Sequence, residues 1–257
     1  MITFFRKIRQ KLLQDLPTGQ VGNKVTRYLA YALGEILLVT IGILIALQIN
    51  TWNESRKEKN YLLKVYAQIS QDLQADTLNL RLSIEDLEAK NARITEIIER
   101  TIPISYYDTL NEANYAACDK CISDITNLEP FQYLDKGYQL LKAVNTAQNF
   151  KEDSLSNAIT QFYSKYLPKV DESQTLLIDL SKNKLAEYQQ YDWFISYADF
   201  GRKTYNKEFI LYIFESEKHR RACAYYLIFS NFGLRILREY RDNSIQILQL
   251  IDKKLAE

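Results

Sequence analysis

The sequence predicts an all-α protein: an N-terminal transmembrane helix followed by an extended stalk helix and an antiparallel helical bundle. Three observations predict it. Glycine is 7 of 257 residues and proline 4 of 257, against usual frequencies of roughly 7% and 5%. Past residue 42 only three glycines and three prolines remain. Strand-and-turn folds and glycine-built phosphate loops need residues that tolerate positive φ or close backbone approach, so both are disfavoured. An apolar run fills residues 28–52, and beyond it apolar side chains recur every three or four residues, the period of a helix face.

The 33 basic and 32 acidic residues nearly cancel, and 47% of the chain is hydrophobic. Neither a disordered charged tail nor a many-pass membrane protein has that composition. The balance is uneven: residues 1–27 carry net +5, from Arg6, Lys7, Arg9, Lys11, Lys24 and Arg27 against Asp15, which leaves −4 for the remainder. Outside this head there is no basic face, so a nucleic-acid partner lacks its electrostatic footprint. Four segments follow: a basic amphipathic cytoplasmic head (1–27), a transmembrane helix (28–52), a stalk or first bundle helix (53–102) and a helical bundle domain (103–257).

The head mixes Phe4, Phe5, Ile8 and Leu12 with its cations, a composition suited to anionic lipid. In the run that follows, YLAYALGEILLVTIGILIALQINTW, the one ionisable charge is Glu35. At about 1.5 Å per residue the run spans a bilayer, with Tyr28 and Tyr31 at one interface and Trp52 at the other. It is too long for a signal peptide and offers no small-x-small cleavage site. Six Lys and Arg precede it and four follow within twenty residues, which puts the N-terminus inside. Ala30, Gly34, Gly42 and Ala46 share one ridge, interrupted by Leu38; small residues on a ridge let two helices approach closely in lipid, so a homo-oligomer is expected. Glu35 is the costly group, to be satisfied by Tyr31 one turn earlier and by headgroup water, or used to bind a partner.

The run FFRKIRQKLL and the segment YLAYALGEILLVTIGILIALQINTWNESRK resemble the N-terminal signature of an uncharacterised family of small single-pass membrane proteins from Gram-negative bacteria, a domain of unknown function. LDKGYQLLKAV and LSNAITQFYSKY, residues 134–144 and 155–166, resemble that family's central helical pair. The resemblance implies a bacterial inner-membrane anchor with residues 53–257 in the periplasm. It brings no activity and no catalytic residues.

After the span, Leu62, Tyr66, Ile69, Leu73, Leu80, Ile84, Leu87, Ile94 and Ile98 form a helical seam in which Asp76 and Asn91 hold two further positions. A coiled coil with a second copy and packing within one bundle both fit that seam. If unbroken from Tyr28 to Arg100 the helix would reach about 110 Å before Pro103 stops it. Further helices are expected at about 109–123 and 131–145, the latter with Phe131, Leu134, Tyr138 and Leu141 on one face. The next is capped by Asp153 or Ser154, with a break or kink at Pro168 ahead of Leu176, Leu177, Leu180 and Leu185. Residues 190–205 read as a connector, and about 206–254 as one short and one long helix. The uncharged run Cys223–Leu234 is too short for a second span and reads as core.

Every cysteine and the single histidine fall in Cys118-x-x-Cys121 and His219-x-x-x-Cys223. Three cysteines and a histidine can form a tetrahedral zinc site, but only if pairs about a hundred residues apart meet. A Cys-x-x-Cys redox centre wants a strand before it and a helix N-terminus, whereas Tyr115-Ala116-Ala117 reads as helical. A disulfide or buried thiols needs neither condition, so no metal, cofactor or catalytic residue is assigned. His219 sits among Glu217, Lys218, Arg220 and Arg221 and reads as exposed. The 19 tyrosines and 11 phenylalanines read as core rather than as a ligand-binding cleft. The expected partners are the lipid bilayer and a second copy or another envelope membrane protein. The expected role is a tethered interaction or scaffold module, with a ligand-sensing bundle as the first alternative.

Overall fold

The computed structural model describes residues 24–146, 153–198 and 204–257, which hold seven α-helices and no strand. These are α1 (Lys24–Glu99), α2 (Ile104–Tyr107), α3 (Lys136–Asn145), α4 (Ser154–Tyr188), α5 (Phe194–Ala198), α6 (Lys207–Glu215) and α7 (Glu217–Leu255), with a 3-10 turn at Tyr115–Ala117. The chain divides into two units, residues 1–58 and 59–257. The amphipathic head, apart from the first residues of α1, lies outside the described residues.

In the first unit the described residues are all helical. Leu33, Ile36, Leu37, Val39, Ile43, Leu44 and Trp52 are exposed. α1 contains a stretch long and apolar enough to cross a membrane, and none of that stretch is buried in protein. It is the one helix of this kind among the described residues.

The second unit is built on three long helices. Its part of α1 buries Leu62, Tyr66, Ile69, Leu73, Leu80, Ile84, Leu87 and Ile94, together with the two polar members of the seam, Asp76 and Asn91. The seam faces the chain's own α3, α4 and α7 rather than a second copy, which decides between the two packings that its periodicity allows. Ser230 donates to Asn91 at 2.6 Å, Tyr240 donates to Asp76 at 2.9 Å, and Arg100 pairs with Glu217. Residue numbers thus fall on α1 as they rise on α7, so the two run antiparallel. The same holds for α4 and α7: Tyr188 lies beside His219, Leu177 beside Gly233, and Phe162 stacks on Tyr240 at 5.2 Å. The segment between α1 and α4 returns along α1, tied by Arg93 to Asp124 at 2.7 Å and by the Leu134 and Gly137 N–H groups to Asp76 and Asp72.

α1 ends on a left-handed residue, Arg100 (φ 55), with Thr101 N–H donating to the Glu96 carbonyl and Arg100 N–H to the Ile97 carbonyl. This double closure satisfies two of the last carbonyls, those of Glu96 and Ile97, and is usually made with glycine. Asp153 caps α4 by accepting from Ser156 N–H at 2.8 Å, and Asn206 and Ser216 cap α6 and α7 in the same way.

Several expectations are corrected. No helix covers 109–123 beyond the three-residue 3-10 turn. There the Asn111 side chain accepts from Ala113 N–H and the Asn114 side chain from Asn111 N–H; such local bonds compete with the helical ladder. α3 begins at Lys136 rather than near 131, because Gln174, Asp76 and Asp72 take the N–H groups of Phe131, Leu134 and Gly137. Leu134, expected on its buried face, is exposed. α4 runs through Pro168 without ending. Pro168 and Ser164, the residue whose carbonyl it leaves unpaired, are both exposed, so water can take the lost bond. Within the expected connector, residues 194–198 form α5 and 199–203 lie outside the described residues. In the Cys223–Leu234 run, Cys223, Tyr226, Ser230, Gly233 and Leu234 are buried, but Tyr225 and Ile228 are exposed.

Candidate functional site

The four potential zinc ligands are not brought together. Cys118 and Cys121 form a disulfide in a small cluster with Tyr107, Tyr115 and Ile210. Cys223 is a buried free thiol in a different cluster, its sulfur 3.4 Å from His219 Nε2. Among the described residues, no group of three or more His, Cys, Asp or Glu side chains is placed to hold a metal ion. A 3-10 turn rather than a strand precedes the Cys-x-x-Cys, and the phenol of Tyr106 lies 3.7 Å from the Cys118 sulfur.

His219 is only 1% exposed, which overturns the reading of an exposed side chain. It stands in the first turn of α7, and with Cys223, Tyr226 and Ser230 it occupies the inward face at three- and four-residue spacing. Its charged neighbours in sequence point elsewhere for the same geometric reason. Burial pushes the imidazole down to about 3 and the Cys223 thiol up to about 12. The pair is therefore held neutral, without the thiolate that a cysteine nucleophile requires. Tyr188, 3.4 Å from His219 Nδ1, also lies 2.7 Å from the Ser123 hydroxyl.

Beside this pair the polar cluster continues outward. Lys184 is buried and its pKa is lowered by that burial. It donates to Glu187 at 3.1 Å and to the Tyr212 hydroxyl at 2.8 Å, while Tyr212 donates to Glu187. Lys218 reaches the same carboxylate at 3.3 Å. Next to this cluster a cleft of about 400 Å³ is lined by Gln190, Tyr191, Asp192, Trp193, Glu208 and Tyr212. Its rings touch: Tyr191 and Trp193 are nearly parallel at 5.0 Å, and Tyr212 lies 4.9 Å from the first and 5.3 Å from the second. The connector assignment missed this cleft. The available signal was the aromatic density of YDWF (191–194), which a solvated loop does not need.

A second polar centre was legible only in part. Asp76, fully buried, accepts from Leu134 N–H at 2.9 Å and from Tyr240; Asp72, one turn before it, accepts from Gly137 N–H at 2.7 Å. Asp72 thereby supplies, from another helix, the cap that Asp135 does not give α3. Burial raises the Asp76 carboxyl to about 6.

In the first unit Gly34, Glu35, Gly42 and Ala46 are exposed on α1, and a Cβ at either glycine would meet nothing within 4 Å. Tyr31 and Trp52 are exposed as well. The side chains of Tyr28 and Ala30 lie outside the described residues.

No curated protein and no solved structure matches the chain significantly. A family model of unknown function, DUF6090, matches residues 35–191. This stretch begins inside the apolar part of α1 and ends at the aromatic cleft, and it covers more than half of the sequence. The chain belongs to the DUF6090 family.

Proposed function

We propose that the protein is a membrane-tethered helical interaction module of the bacterial envelope, anchored in the inner membrane by the apolar part of α1. Its N-terminus would be cytoplasmic and residues 53–257 periplasmic. The observation that carries this reading is the apolar surface of residues 31–52, of which the protein itself buries nothing in the membrane-length stretch. Water would not tolerate that much uncovered hydrocarbon, whereas lipid is its natural solvent. The Cys118–Cys121 disulfide supports an oxidising compartment for the folded part. The module acts by presenting surfaces to a second copy or to another envelope membrane protein.

Anchoring and topology are tested together in intact Gram-negative cells. The full chain should stay in the membrane pellet after alkaline carbonate washing. In a variant with Cys118→Ser, Cys121→Ser, Cys223→Ala and Glu257→Cys, a membrane-impermeant thiol reagent that passes the outer membrane should label the new cysteine without lysis. Release by carbonate would remove the anchor, and labelling only after lysis would put the bundle in the cytosol. In the unaltered chain, two additional thiols should become alkylable after reduction.

A further inference from the structure

We propose that the cleft between the end of α4 and α6 is a binding site for a small organic cation carrying an alkylated ammonium group, held against Tyr191, Trp193 and Tyr212 and neutralised by Asp192 and Glu208. The protein already displays this mode of recognition twice on the same rings. Lys184 Nζ stands 5.2 Å from the Tyr212 centroid, and Lys218 Nζ stands 5.7 Å from that of Tyr191. Both ammonium groups are paired with Glu187. Each is thus a cation shared between an aromatic face and a carboxylate, the arrangement that attracts ammonium groups through the ring quadrupole.

The cleft adds Trp193 and two further carboxylates to these rings, on the side where neither lysine belongs to the lining. Its lining holds three adjoining aromatic rings, two carboxylates and no basic residue. Asp192 and Glu208 are exposed, and neither has an ion-pair or hydrogen-bond partner among the described residues. Trp193 and Tyr212 are buried as the floor, fixed by their packing on Tyr188 and Phe209 and by the bonds of Tyr212 to Lys184 and Glu187. The site is therefore formed before any ligand arrives, and its volume of about 400 Å³ suits a small molecule. An alkylated ammonium group matches it better than a metal ion does, because rings and methyl groups desolvate together while the carboxylates answer the charge. This inference does not depend on the membrane reading, since every residue it uses lies in the second unit.

The chain has two tryptophans, so Trp52→Phe leaves Trp193 as the single indole reporter. The full-length Trp52→Phe protein, in an uncharged maltoside detergent at constant ionic strength, is titrated with tetramethylammonium, with choline, and with the neutral isostere of choline in which carbon replaces the quaternary nitrogen. We expect a saturable change in Trp193 fluorescence with both cations and at least about fivefold weaker binding of the isostere. Asp192→Asn combined with Glu208→Gln changes only exposed groups and should weaken the cations about fivefold while leaving the thermal transition in place. Tyr191→Leu should weaken them as well. In phosphatidylglycerol vesicles, a Trp193 change produced by added phosphatidylcholine assigns a lipid headgroup, and one produced only by dissolved choline assigns a free cation. No saturable change in any setting, equal binding of cation and isostere, or full affinity in the double carboxamide variant would each overturn the proposal.

Discussion

Gly137 lies directly against the backbone of Ile69, where any residue with a side chain would force a shift. A Cβ on Gly137 would lie 2.6 Å from the Ile69 backbone nitrogen and 2.8 Å from its Cα. At this point α3 meets α1 backbone to backbone, and the close approach lets Gly137 N–H reach Asp72 at 2.7 Å.

Gly137→Ala is expected to destabilise the bundle by about 2–3 kcal/mol, since the added methyl collides with backbone rather than with a side chain that could turn aside. Urea denaturation of the full chain followed by circular dichroism measures it. A loss below about 0.5 kcal/mol would mean that α3 can slide on α1.

Asp76 and His219 should act on acid stability in opposite directions. Asp76 titrates near 6 when folded against an ordinary 3.8. Burial is the main cause, the Leu134 and Tyr240 hydrogen bonds oppose it, and Asp72 and Asp135 add like charge. Between these values the folded chain holds a proton that the unfolded chain has released, so this group adds stability as pH falls from 6 towards 4. His219, near 3 when folded against 6.5, subtracts stability as pH falls below 6.5, because the unfolded chain takes up the proton first. Each effect is on the order of 2–3 kcal/mol at pH 4.5. Asp76→Asn should therefore be stabilising at pH 7.5, with its advantage shrinking at pH 4.5, and His219→Gln should flatten the decline below pH 6.5. Urea midpoints at three pH values report both, and parallel pH curves for parent and variants would refute the assignment.

Gly34→Leu with Gly42→Leu should abolish crosslinked dimers in membranes. Within one chain the added side chains meet nothing near their Cβ atoms, so a loss of crosslinking has to come from a second helix that packs on this ridge. Unchanged crosslinking would remove the idea that this face forms the oligomer.

Much of the second unit was legible because helical periodicity is a local property. The seam from Leu62 to Ile98 was read position by position, including the polar residues Asp76 and Asn91; all of these are buried except Ile98, which is half-buried. Asp153 as one of two cap candidates and the division of about 206–254 into a short and a long helix were legible for the same reason, whereas the position of the break at Ser216 was not. Periodicity names a face but not what covers it, so coiled coil and bundle stayed open until Tyr240 and Ser230 were found on Asp76 and Asn91. His219 was misread because sequence neighbours on a helix point in different directions. The cleft was missed because its walls, Tyr191, Trp193 and Tyr212, come from two segments joined only by packing. Gly137 had a usable signal: in a chain with three glycines after residue 42, one in the middle of a helical pattern marks a close approach.

By itself, the sequence determined the helical class, the apolar segment at 28–52 and the inward face of α1, since backbone propensity, length and side-chain period are set within a few residues. Only the tertiary structure decided which faces meet. Burial of Asp72 and His219, the hydrogen bonds that Asp76 accepts from Leu134 and Tyr240, and assembly of the aromatic cleft all depend on groups distant in the chain. Their desolvation and hydrogen bonding exist only once the helices have packed.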